Sequence, residues 1–318
     1  MKAAARARVD DPERACSNLP EVPIVITVRP AAPANPFRHH DPADSVTIRG
    51  RRIALGELVD PKIFDPDHVA RLQARVAAAT PFPHLVDDGW FNPDLLELAS
   101  EEFASLGTPE WTEWASRHQQ IYRSPPKQPL GPASTLYFQL VNAGWFVDFL
   151  STVMGVPHLI ADAHLHGGGL HESRTGGRFG IHRDFDRHLH NGLQNELSMM
   201  TYLNKDWDPA WGGALELWDR AQKRSLRTIA PEFNRSVVLC HGPASFHGHP
   251  HPLATPAGTT RRSLSSYYYS NRMPPDATAQ PPRSTQFLIW KPGERLREVA
   301  RNVAPPFVWN ALKRTFKR

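Results

Sequence analysis

His182 and Asp184 stand two residues apart at the end of the run Arg178-Phe179-Gly180-Ile181, and His247 comes about sixty residues later. Residues two apart on an extended segment point the same way, so His182 and Asp184 can grip one ion together. Two imidazoles and one carboxylate can take one face of an octahedral Fe(II), leaving the opposite face open for a co-substrate and O2. The pair alone is not diagnostic, because a chain with 16 His produces surface His-x-Asp pairs by chance. Residues further along the chain add weight. Arg261 and Ser263, in Arg261-Arg262-Ser263-Leu264-Ser265, share a face by the same two-residue period and offer a forked cation and a hydroxyl to a carboxylate. Tyr202, at the end of the strand predicted over Leu197–Asn204, can supply a second donor to that carboxylate. Arg262 is the alternative to Arg261, and its bland reading is a solvent-facing cation.

These features stand in the order of a known family. The stretch from Pro81 to Asn271 resembles the 2-oxoglutarate and Fe(II)-dependent dioxygenases of the prolyl 4-hydroxylase type. Pro81-Phe82-Pro83-His84-Leu85-Val86, then Asn92-Pro93-Asp94-Leu95-Leu96, resembles the family's opening strand and first helix, and Gly176–Asp184 its first metal strand. Tyr202-Leu203-Asn204-Lys205-Asp206-Trp207-Asp208, then Gly212-Gly213-Ala214-Leu215, is similar to the oxygen-sensing prolyl hydroxylases of animals. Phe246-His247-Gly248-His249-Pro250 and the Arg261 segment complete the series. The resemblance implies that His182, Asp184 and His247 bind Fe(II), that Arg261 and Tyr202 hold the distal carboxylate of 2-oxoglutarate, and that Ser263 stands beside them. It also implies O2 as co-substrate and ascorbate as an accessory reductant.

Four histidines compete for the third ligand position: His241, His247, His249 and His251. The family pattern places a small residue and then His before a variable turn, which fits His247 after Ser245-Phe246, with His249 second. Asp186, and His164, His166, His171, His188 and His190 around the metal strand, are expected in the cleft wall, the loops or on the surface. Tyr267, Tyr268, Tyr269 and Trp211 can line the cleft or fill the core. The implied reaction hydroxylates a C–H bond, releasing succinate and CO2, and the carboxylate of Asp184 favours hydroxylation over halogenation. A prolyl residue of a protein or peptide, or a free amino acid or similar small molecule, is the expected substrate. Two other readings stay open: a zinc hydrolase using the same three ligands, and a non-catalytic jelly-roll binding protein.

The elements that must position these residues can be read in outline. Ile63, Val69, Leu72 and Val76 recur at helical spacing over Ile63 to Ala79, with Asp65-Pro66 as cap and first-turn proline. Further helices are predicted over Pro93 to Phe103 and Trp145 to Met154, and strands dominate from His158 to Ser270, including Arg235–Cys240. Helices succeeded by strands argue an α+β fold, and the resemblance implies a double-stranded β-helix (jelly-roll) core with supporting N-terminal helices. Residues 1–45, rich in Pro, Ala and Arg without period, read as a flexible tail. The dioxygenase domain is expected over 46–275 and a linker with a basic amphipathic C-terminal extension over 276–318. That extension can pack on the domain, dock a partner or lie on a membrane surface.

At 318 residues the chain can bury a substantial core in one domain. No apolar run approaches membrane-spanning length. Met1-Lys2-Ala3-Ala4-Ala5-Arg6-Ala7-Arg8 lacks the apolar stretch of a secretory signal. With only Cys16 and Cys240, a reduced, cytoplasmic setting is expected. The net charge of +5 sits largely in the two tails and comes with no nucleic-acid-binding motif, so no specific nucleic acid is expected.

Overall fold

The computed structural model describes residues 32–105, 111–116, 118–126, 129–221, 223–272 and 283–288. A hairpin, Ser45–Ile48 (β1) and Arg51–Ala54 (β2), precedes the first helix and buries Ile48 and Ile53. The helix Pro66–Ala77 (α1) starts as predicted, with Asp65 accepting a hydrogen bond from the Asp67 amide and Pro66 in the first turn. After His84–Asp88 (β3) comes Pro93–Ser105 (α2), capped by Asn92 Oδ1 through the amides of Asp94 and Leu95. Thr112–Ala115 (β4) and Gln119–Arg123 (β5) pair with each other. Pro132–Asn142 (α3) and Gly144–Met154 (α4) come next, and α4 ends at Gly155 in the left-handed conformation (φ 68°), which a residue without Cβ adopts freely.

The remaining strands are Ile160–Ala161 (β6), Gly169–Ser173 (β7), Arg178–Arg183 (β8), Gln194–Tyr202 (β9), Leu215–Asp219 (β10), Arg224–Ile229 (β11), Arg235–Cys240 (β12), Phe246–His249 (β13), Arg261–Ser270 (β14) and Gln286–Phe287 (β15). Together with β3, β4 and β5 they form one sheet, ordered β11-β10-β13-β8-β5-β7-β14-β9-β12-β3 along its main path, and the pairings along that path are antiparallel. The sheet curls so that β14 and β9 face β8, β13 and β10 across a common pocket. This is the double-stranded β-helix core.

Period-two alternation separates its two faces. Leu197 and Met199 of β9, Val238 of β12, and Leu264 and Tyr268 of β14 point outward into a core shared with Leu72 of α1, Leu95 and Leu96 of α2, Tyr137 of α3 and Phe146 and Phe149 of α4. Met200 and Tyr202 of β9 and Val237 and Leu239 of β12 point inward. Burying one face against the helices leaves the other to line the pocket, and a one-residue slip would exchange the two sets.

Three features depart from the sequence expectations. Helix α3 has the first-turn proline Pro132 but no capping side chain at Gly131. Its first amides, Ala133 and Ser134, instead donate to Glu102 of α2 at 2.8 and 2.9 Å. Residues 283–288 lie in the stretch expected to be linker, yet β15 pairs with β8 and the Leu288 amide donates to Ile181 O. Phe37, in the expected tail, packs edge-on against Trp145 of α4, 5.8 Å between centroids. Residues 1–31 and 289–318, which hold most of the expected tail and basic extension, lie outside the described residues. No helix among the described residues is long and apolar enough to cross a membrane.

Candidate metal and 2-oxoglutarate site

His182 lies near the end of β8, Asp184 just past that strand, and His247 on the neighbouring β13 directly opposite His182. All three are buried, and one ligand atom from each lies within 4.8 Å of the others. The tautomers can be inferred from the backbone. His182 Nδ1 lies 2.8 Å from Gly180 O, and His247 Nδ1 2.9 Å from Ser245 O. A carbonyl can only accept, so each Nδ1 carries the ring hydrogen and each neutral Nε2 presents a bare lone pair. Those lone pairs face Asp184, at 3.2 Å from Oδ1 for His182 and 3.8 Å from Oδ2 for His247. Acceptors converging in a buried space need a proton or a cation between them. Burial lowers the His247 pKa to about 4, which disfavours a proton there. Burial opposes the charge on Asp184 too, and positive charge at the facing imidazoles of His182, His247 and His241, or a cation between them and the carboxylate, is what would hold the carboxyl below its usual range. The donor set therefore fits a divalent metal.

Of the competing histidines, His249 lines the same pocket but points to Ser173 Oγ, 3.5 Å away, and lies outside the ligand cluster. His241 Nε2 sits 3.6 Å from Asp184 Oδ2 behind the cluster, and His251 is exposed. A register irregularity explains the arrangement: three steps along β8, from Phe179 to His182, match two along β13, from His249 to His247. It turns both Phe179 and His182 inward, and their rings stack at 3.9 Å. Gly248 is required at this point, since a Cβ there would lie 2.7 Å from the carbonyl oxygens of Phe179 and Gly180. Asp186, one strand period beyond Asp184, instead pairs with Arg183 at 3.1 Å.

Across the pocket, Arg261 is buried on the inner face of β14. Its Nε donates to Gly213 O at 2.7 Å and its Nη2 to Tyr202 Oη at 3.1 Å, with the guanidinium over the Tyr202 ring. Among the described residues its hydrogen bonds go to a carbonyl and a hydroxyl, and no carboxylate forms an ion pair with it. Tyr202 is fully buried behind Arg261, and its hydroxyl hydrogen remains to be donated. Burial raises its pKa against the pull of Arg261, so it stays a phenol. Ser263, two residues on, lines the pocket with Arg261. Arg262 points the other way, donating to Ser100 O and Thr260 Oγ1, as alternation requires.

The structure puts Tyr267 and His171, each left between cleft wall and another position by the sequence, in the pocket lining, and adds Arg123 and Phe287. Tyr267 Oη donates to Asp184 Oδ2 at 3.2 Å. Burial and the nearby Asp184 charge push its pKa well up, so it keeps the proton it donates. Arg123 of β5 and His171 of β7 line the same pocket, and burial, reinforced by Arg123, lowers the His171 pKa to about 3. Phe287 of β15 stacks on His118 at 4.8 Å and approaches His182 at 5.7 Å. The parity of Arg261, Ser263, Ser265 and Tyr267 could have found Tyr267. No local signal points to Arg123 or Phe287.

Residues 168–269, which contain every proposed ligand and both members of the Arg261–Tyr202 pair, match the family model described as 2OG-Fe(II) oxygenase superfamily. This stretch is a 2OG-Fe(II) oxygenase domain. Among solved structures, the chain is similar to a prolyl-4-hydroxylase from Pseudomonas putida, with 16% identity, TM-score 0.46 and coverage of 64% of this chain and 98% of the other. It is also similar to a prolyl hydroxylase from Trichoplax adhaerens, in complex with a hypoxia inducible factor peptide fragment, with 12% identity, TM-score 0.47 and coverage of 64% and 89%. HygX from Streptomyces hygroscopicus, with nickel and 2-oxoglutarate bound, matches with 15% identity, TM-score 0.40 and coverage of 67% and 94%. Comparison with curated proteins finds no match.

Proposed function

We propose that the oxygenase hydroxylates a C–H bond of a prolyl residue or a free amino acid, consuming 2-oxoglutarate and O2 and releasing succinate and CO2. The observation that carries this reading is the convergence of two bare Nε2 lone pairs on a buried carboxylate, facing a buried arginine with no carboxylate partner among the described residues. His182, Asp184 and His247 would hold Fe(II), which when bound supplies the site for O2 activation. Arg261 would receive the distal carboxylate of 2-oxoglutarate through its fork, with Tyr202 donating its hydroxyl hydrogen to the same group and Ser263 beside them. Tyr267 orients Asp184, and the apolar walls of Phe179, Met200 and Leu215 keep water from the reacting atoms. A zinc hydrolase would use the three ligands but leave the Arg261–Tyr202 pair without a task. Asp184→Ala tests the assignment: succinate formation should fall to background while the circular dichroism spectrum stays that of the parent. Near-normal succinate from this variant would remove Asp184 from the metal site.

A further inference from the structure

Three imidazoles face Asp184, and the proposed metal site uses two of them. His182 and His247 each hold Nδ1 against a backbone carbonyl, which leaves Nε2 bare. His241, the first residue beyond β12, is different. Its side chain is 6% exposed, and neither ring nitrogen has a hydrogen-bond partner among the described residues. A neutral imidazole carries one N–H, and with no acceptor at Nδ1 that hydrogen belongs on Nε2, which lies 3.6 Å from Asp184 Oδ2. At 3.6 Å the contact falls short of a hydrogen bond, and a shift of about half an ångström closes it. Tyr267 reaches the same oxygen, its Oη donating to Oδ2 at 3.2 Å, while His247 Nε2 is further away at 3.8 Å. The rings of His241 and Tyr267 lie nearly parallel, 15° between planes and 6.0 Å between centroids. Phe185 packs against Tyr267 at 5.3 Å, and the His241 amide is tied to Glu196 O at 2.8 Å, which holds both donors in place. Asp184 Oδ1 lies on the His182 side, 3.2 Å from that Nε2.

Resting on the oxygenase reading above, we infer that His241 and Tyr267 are positioning residues that together engage Asp184 Oδ2, so that the carboxylate offers the metal one oxygen, Oδ1. The number of ligand places gives this a consequence. An octahedral ion has six; His182, His247 and one oxygen of Asp184 take three, chelating 2-oxoglutarate takes two, and one is left for O2. A carboxylate can also bind a cation through both oxygens. A second oxygen from Asp184 would take that last place, and the two donors hold it back by engaging the lone pairs it would use. The same N–H keeps His241 itself out of the ligand set, since a ligating nitrogen must be bare.

The test uses the full chain loaded anaerobically with Fe(II), and calorimetric titration of 2-oxoglutarate comes first. If wild type fails to bind 2-oxoglutarate, the oxygenase reading fails. Nitric oxide, a stable stand-in for O2, is then titrated into the loaded protein and followed by electron paramagnetic resonance. His241→Phe and Tyr267→Phe keep the two rings and remove the donors, singly and together. The double variant should bind 2-oxoglutarate within about threefold of wild type, which also shows that it folds, and bind nitric oxide roughly tenfold or more weakly, the size expected for losing a hydrogen bond to a charged group. Placing His241→Gln in the double variant instead of His241→Phe returns an N–H and should restore part of the loss. Under turnover, the KM for O2 should rise in the double variant more than kcat falls. Undiminished nitric oxide binding there would overturn the inference while leaving the oxygenase reading in place. Loss of Fe(II) binding in His241→Phe alone would overturn it as well, because it would make His241 a ligand. Should the double variant fail to fold, the comparison is made with His241→Phe alone, where nitric oxide binding equal to wild type would again overturn the inference.

Discussion

Replacing Arg261 is the most informative single perturbation of the co-substrate pocket. In Arg261→Lys the charge stays, but a point ammonium cannot reach Gly213 O, Tyr202 Oη and an incoming carboxylate with the geometry of the planar fork. Hydrogen bonds to charged groups contribute about 1.5–3 kcal/mol, so losing one from the bound carboxylate should weaken 2-oxoglutarate by roughly 10- to 150-fold. The turnover rate at saturating 2-oxoglutarate should fall much less, since the metal ligands are untouched. Arg261→Leu should be worse, because it leaves the bound carboxylate buried without a partner. Tyr202→Phe removes one donor, costing about 0.5–1.5 kcal/mol, or up to ~3 kcal/mol if the carboxylate is well desolvated. The internal control is Arg262→Leu, which loses contacts to Ser100 and Thr260 on the opposite face and should leave the 2-oxoglutarate requirement unchanged. The assay is initial succinate formation against 2-oxoglutarate concentration for all four variants. A raised requirement in Arg262→Leu with none in Arg261→Leu would refute the assignment of the inner face of β14.

Two further outcomes are expected. In Gly248→Ala, the new Cβ would press on the backbone oxygens of Phe179 and Gly180, which should cost about 1–3 kcal/mol of stability and loosen His247. Denaturation midpoints and competitive metal titration would show it, and unchanged metal affinity would show that the irregularity does not position the ligand. His171 is held neutral in the fold, with a pKa of about 3 against 6.5 when unfolded. As pH falls below about 6.5 the unfolded chain takes up a proton that the folded site refuses, so stability declines toward pH 3, by roughly 2 kcal/mol from this group at pH 5. His171→Asn should flatten that part of the pH profile in urea unfolding, and an identical slope in both proteins would contradict it.

How far the site is legible in the sequence depends on which interactions make it. The pairs His182/Asp184 and Arg261/Ser263 are readable because each lies on one extended segment, where the two-residue period sets the face. The start of α1 is readable because Asp65-Pro66 caps it locally. Arg123 is not, because β5 is placed by its pairing with β4, β7 and β8, all distant in sequence or without a clear period of their own. Simple alternation misplaces Phe179, since the irregularity against β13 turns it inward with His182. Helix α3 depends on a cap from Glu102, about thirty residues earlier, and β15 is a two-residue strand that only its partner β8 defines.

If His182, Asp184 and His247 hold Fe(II), with 2-oxoglutarate chelated on the open face and anchored at Arg261, the ternary complex should be visible before any turnover. The most direct measurement is an anaerobic titration of the metal-free protein with Fe(II) and then 2-oxoglutarate, recorded in the visible range, with O2 admitted at the end. The expected result is a weak charge-transfer absorption that appears only with both components, saturates at one equivalent of iron, and gives way to succinate on exposure to O2. No absorption, together with tight stoichiometric zinc binding and no succinate, would contradict it.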